Sequence, residues 1–99
     1  MAEVLTIEEL RRRIDSVADQ LVRLLNVRVA CAVEIGRLKK PLGVAVYQPA
    51  REKLVLARVQ EAAVALAGPL QADAVVRIFE RVMDEGRRAE RLAGNSDAG

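Results

Sequence analysis

The chain has 99 residues, room for one domain with a core at the small end of what sustains itself. Apolar residues make up 52%, charged residues 30% and aromatic residues only 2%, and 16 Lys and Arg stand against 14 Asp and Glu for a net charge of +2. So slight an excess, with almost no aromatic surface for stacking bases, argues against nucleic acid as a partner, and no apolar run is long enough for a membrane span. Arg11-Arg12-Arg13 and Arg87-Arg88 are interspersed with Glu8, Glu9, Asp15, Asp84, Glu85 and Glu90 and read as solvated helix faces. Charge follows Met1 to Leu5 at once, which is unlike a secretory signal. The lone cysteine, Cys31, cannot form an internal disulfide, and it is expected as a reduced, buried small hydrophobe. The compartment expected is the cytoplasm.

Thr6 to Lys40 reads as one long amphipathic helix. Thr6-Ile7-Glu8-Glu9 is a capping box, with Leu5 and Leu10 at the staple positions, and Pro41 and Gly43 mark the end. Leu10, Ile14, Val17, Leu21, Leu24, Leu25, Cys31, Ala32, Ile35 and Leu38 recur at helical spacing and form one apolar stripe. Arg28 and Lys39 interrupt it. At 100° per residue both fall within about 20° of the centre of the stripe, roughly 16 Å apart along the axis. A cation on an apolar seam is costly unless it meets a counter-charge, so two on one seam point to a place that receives an anion. Such a helix spans roughly 52 Å at about 1.5 Å per residue, against a radius of gyration near 13 Å for a compact chain of this size. Its stripe would be bare in a single chain. A second copy is the simplest cover, which predicts a homodimer.

Val44 to Pro49 reads as a short extended link. Pro49 opens a second helix to about Leu66, with a stripe of Val55, Val59, Ala62 and Leu66 that reaches Arg51 when extended backwards, with Glu52 beside it. Gly68-Pro69 is expected to stop it. A third helix, from near Gln71 to about Leu92, carries Val75, Phe79, Val82 and Met83, then Gly86 and Glu90. Residues 1–5 and 94–99 are expected to fray from a single domain covering 1–99. The fold class is therefore all-α, three helices per chain.

Each helix carries charge at a core-facing position, and helices side by side can bring these groups into one pocket. There is no His, no Ser–His or Cys–His pair, no metal-ligand spacing and no glycine-rich phosphate loop. No metal or cofactor is expected. What is left is a cationic cage with one or two carboxylates, able to bind a small dianion, hold one conformation of it and stabilise charge that develops during a rearrangement.

The pattern Leu10-Arg11, Ile14-Asp15, Leu21, Leu24-Leu25, Arg28, Ile35-Gly36, Lys39, then Tyr47-Gln48-Pro49-Ala50-Arg51-Glu52, then Gly68-Pro69, Ile78-Phe79 and Glu90, resembles the AroQ-type, all-helical chorismate mutases over residues 5–91. The resemblance implies an intertwined homodimeric helical bundle and the Claisen rearrangement of chorismate to prephenate, towards phenylalanine and tyrosine. It implies that Arg28, with Arg11 of the other subunit, grips the two carboxylates. Lys39 would donate to the ether oxygen, Glu52 would accept from the ring hydroxyl, and Arg51 would join the cage. Three positions depart from the family pattern. Gln48 stands where Asp is common, and only its backbone amide is expected to matter. Gly86 stands where Ser often offers a hydroxyl, so one contact is expected to be missing. Glu90 stands where Gln is frequent, opposite Lys39, and is expected to work protonated, since a carboxylate there would repel the dianion. Other readings of the same sequence are an isochorismate-pyruvate lyase, a 4-amino-4-deoxychorismate mutase, and a non-catalytic helical dimer regulating a partner enzyme. For the mutase itself, the resemblance also implies a partner enzyme of the shikimate pathway.

Overall fold

The structure, a computed structural model, describes residues 5–97. Three helices follow one another, α1 (Ile7–Lys39), α2 (Pro49–Leu66) and α3 (Ala72–Asp97), with a 3-10 turn at Lys40–Leu42 after the first. Among the described residues there is no strand. The capping box forms as expected: Thr6 Oγ1 accepts from the Glu9 amide at 3.1 Å, and Glu9 Oε2 accepts from the Thr6 amide at 3.0 Å. Pro41 falls in the 3-10 turn, and Gly43 closes it in the left-handed region at φ 69°, a conformation glycine adopts without a Cβ clash.

One cap and one boundary differ from expectation. The second helix ends at Leu66 as expected, but its cap is Ala67 and not Gly68, with Ala67 left-handed at φ 52° and its amide bonded to the Ala63 and Val64 carbonyls. The third does not end near Leu92 but continues through Gly94 to Asp97, since one glycine costs a helix only about 1 kcal/mol. Of the segments expected to fray, residues 1–4 and 98–99 lie outside the described residues.

The third helix is the centre of the subunit. It packs against both others, whereas among the described residues no Cα pair joins α1 and α2 within 8 Å. The α2 face on it is Glu52, Val55, Leu56, Val59 and Ala63, so the expected stripe holds through Val59 and then shifts, leaving Ala62 and Leu66 exposed. Val75, Phe79, Val82, Met83 and Gly86 line the inner face of α3 as the spacing requires.

The first helix has two faces. Towards α3 it turns Arg28, Val29, Ala32, Val33, Gly36 and Lys39, all partly covered. The apolar stripe read from the sequence lies about 60° round the helix from the centre of that face. It is bare: Ile14 is 65% exposed, Val17 51%, Leu21 54% and Leu24 64%. Cys31 is exposed as well, contrary to expectation, because it belongs to that outer stripe and not to the α3 face. Met83, at 6% exposure, is the one buried hydrophobic residue among the described residues. The molecule measures 61 × 28 × 17 Å with a radius of gyration of 17.6 Å, well above the roughly 13 Å of a compact chain this long. No helix of the described residues is long and apolar enough to cross a membrane.

Candidate active site

Arg28 and Lys39 stand on the border between the two faces of α1, half-buried, and both line one cleft of about 550 Å³. The helical period explains their pairing, since eleven residues return the chain to nearly the same angle. The 3-10 turn and link then bring Val44, Val46 and Gln48 to the rim, and Lys39 Nζ reaches the Val46 carbonyl at 3.5 Å. Gln48 uses its side chain on the link itself, Nε2 donating to the Ala45 carbonyl at 3.0 Å. Its own carbonyl accepts from the Glu52 amide at 3.0 Å and so begins α2. Pro49 needs no hydrogen-bond donor in that first turn, and Arg51 and Glu52 enter the cleft from there.

From α3 come Met83, Gly86, Arg87 and Glu90. Gly86 is buried against Arg28, and a Cβ there would lie 3.7 Å from Arg28 Nη1, an ordinary contact. Gly36 is under a tighter constraint: a Cβ on it would come within 2.7 Å of Glu90 Cγ and 3.1 Å of its Cδ. The bare backbone of α1 is thus the bed on which the Glu90 side chain lies. Glu90 Oε2 is buried there with no hydrogen-bond partner among the described residues. The same side chain divides the cleft from a second hollow of about 520 Å³ beside Val33, Arg37, Lys40 and Arg91, which holds none of the other expected site residues.

Seven of the eight expected residues therefore meet on one cleft: Arg28, Lys39, Gln48, Arg51, Glu52, Gly86 and Glu90. Arg11 does not. It is exposed on the projecting first turns of α1, away from its own chain's cleft. One residue was misjudged in the sequence. Arg87, grouped there with solvated surface charge, lines the cleft at 21% side-chain exposure and is paired with Glu52 and Asp84. Its i,i+4 spacing from Met83 was the available signal, but the alternation of charges around it masked that.

The charges do not cancel. Glu52 and Asp84 are both taken up by Arg87, whose own pKa is held above its ordinary value chiefly by the hydrogen bond to Glu52. Arg28, Lys39 and Arg51 have no acidic partner within ion-pair distance among the described residues. A cleft with apolar walls and three uncompensated cations attracts a small polyanion, and each contact is stronger there than in bulk water.

Comparison with known proteins gives this geometry a family. The chorismate mutase type II family matches residues 10–91. The chain is 42% identical over 90 residues to a bifunctional chorismate mutase/prephenate dehydratase of Neisseria gonorrhoeae, covering 87% of this chain and 24% of that protein. It is 33% identical over 88 residues to the protein of the same description from Stutzerimonas stutzeri, covering 84% and 23%. To the T-protein of Enterobacter agglomerans it is 36% identical over 85 residues, covering 86% and 22%. The chain thus spans less than a quarter of the length of these curated relatives.

Proposed function

The chain belongs to the chorismate mutase type II family, and on that premise we propose that it rearranges chorismate to prephenate in a cleft completed by a second copy. The observation that carries this reading is the convergence of Arg28, Lys39 and Arg51, without acidic partners among the described residues, on the cleft that also holds Glu52 and Glu90. The reaction moves electrons within one molecule: the ether C–O bond breaks as a C–C bond forms. It asks for no nucleophile and no cofactor. The protein's part is to hold the reactive conformation and to meet the negative charge that grows on the ether oxygen.

Arg28 and the partner's Arg11 take the two carboxylates. Lys39 donates to the ether oxygen from one side, and Glu90 stands on the other. Glu52 accepts from the ring hydroxyl, and Arg51 adds its charge at the rim. Two observations support the sharing of each cleft between chains. Arg11 is exposed far from its own cleft, and the apolar stripe of α1 is bare. A second copy laid on that stripe would bury it, and the intertwined dimer of the family is the arrangement proposed. The cytoplasm is the compartment proposed, where the exposed Cys31 thiol stays reduced. The assay is the ultraviolet loss of chorismate on adding the purified protein, with prephenate identified as product. Pyruvate among the products would instead favour the lyase reading.

Glu90 meets the substrate opposite Lys39 through Oε2, which is buried and has no hydrogen-bond partner among the described residues. Glu90→Gln, which places an amide donor there, should keep turnover, whereas Glu90→Ala should lower kcat by about a hundredfold. Equal turnover in the alanine variant and the unaltered protein would contradict this role.

The packing of Glu90 on Gly36 gives a second expected result. Gly36→Ala should leave the fold intact, because alanine is the better helix former by about 1 kcal/mol. It should lower kcat by roughly ten- to a hundredfold, since the added methyl displaces the Glu90 side chain from its bed. Steady-state kinetics beside a thermal melt checks both halves.

A further inference from the structure

One cation of the cleft has no part in the rearrangement as described. Arg87 is held by three elements at once: Nη1 donates to both carboxylate oxygens of Glu52 in the first turn of α2, Nη2 donates to Asp84 on α3, and the guanidinium lies 5.0 Å from the centroid of the Tyr47 ring in the link. A guanidinium bound on its edge by two carboxylates and on its face by an aromatic ring has little freedom left.

The consequence falls on Glu52. Alone in the cleft, its carboxylate would hold a ring ammonium more tightly than a ring hydroxyl, because a charged donor makes the stronger hydrogen bond. Arg87 already occupies that charge. Each carboxylate oxygen still has a lone pair for a neutral hydroxyl, but an ammonium in the same place would face the guanidinium across the shared acid. Arg28, Lys39 and Arg51 line the same cleft and add to the repulsion.

We propose that Arg87 is a positioning and specificity-determining residue, which orients Glu52 as an acceptor for a neutral ring hydroxyl and turns away substrates that carry an ammonium at that ring position. The inference rests on the chorismate mutase reading and narrows it, from chorismate-like dianions in general to those with a hydroxyl in place of an amine.

The test compares chorismate with 4-amino-4-deoxychorismate on the unaltered protein, Arg87→Gln and Arg87→Lys, by kcat/KM or, where turnover of the amine is too slow, by its inhibition constant against chorismate. The unaltered protein should prefer chorismate. Arg87→Gln should move the ratio of the two substrates towards the amine by roughly tenfold or more, while Arg87→Lys, which keeps the charge, should hold it. A second measurement needs no variant. As the pH rises through the amine's own pKa, the unaltered protein should gain on the amine relative to chorismate. The groups that face Arg87 are Glu52, Asp84 and Tyr47, and a ratio of two substrates on one protein cancels their titration.

A ratio unchanged in a folded Arg87→Gln, or one that does not move with pH in the unaltered protein, overturns the role of Arg87 and leaves the mutase reading standing. Failure of the unaltered protein to convert chorismate overturns both.

Discussion

Replacing Arg28 by alanine should lower kcat/KM for chorismate by about three orders of magnitude, some 4 kcal/mol of transition-state binding, while the protein still folds. The size follows from the setting of the guanidinium. It is half-buried between α1 and the bare backbone of Gly86, and no acid among the described residues competes for it. A charge-assisted, bidentate contact to a carboxylate in such a cleft is among the stronger single interactions available to a binding site. Stability should change little or rise, since removing an uncompensated cation from an apolar wall relieves a desolvation cost. The opposite pattern, full turnover with a lowered melting temperature, would mean that Arg28 serves the fold and that the protein is a scaffold.

The second large effect concerns the outer stripe of α1. Placing glutamate at both Leu21 and Leu24 should abolish the proposed dimer and, with it, nearly all activity. Those side chains are 54% and 64% exposed in one chain, and a subunit whose one buried hydrophobic among the described residues is Met83 has little else to hold it together. In the proposed dimer they would be buried, and each unpaired carboxylate introduced there would cost several kcal/mol, four times over across the two-fold axis. Sedimentation should show a single chain, with reduced helical signal. Unchanged assembly would place the interface elsewhere.

Much of this was readable before the fold. The capping box at Thr6 and Glu9 is a local hydrogen-bond pattern, and Pro41 and Pro49 act through their own rings, so these boundaries needed no tertiary knowledge. Arg28 and Lys39 were identifiable because helical periodicity turns sequence spacing into direction. What periodicity cannot supply is the neighbour. It gave one stripe on α1 where there are two faces, with the cations at their border, and so placed Cys31 in a core it does not join. Ala67 in the left-handed region leaves no mark in sequence, since residues other than glycine reach that region only when their surroundings hold them there. The small polar residues from Gly94 onward suggest a frayed tail, yet the helix continues through Gly94 to Asp97. Arg87 looked like surface charge because its partner Glu52 is 35 residues away and only the packing of α2 on α3 brings them together. Gly36 was a bare position until Glu90 was laid across it.

The most direct measurement takes two inactive proteins, Arg11→Ala and Arg28→Ala, and refolds them together. If positive groups from both chains surround one dianion, half of the dimers formed at equal amounts are mixed, and each mixed dimer has one pocket with both arginines intact. Activity should then recover to roughly one quarter of that of the unaltered protein. A mixture no more active than its two parents would mean that each chain encloses its substrate alone, and the shared cleft would have to be given up.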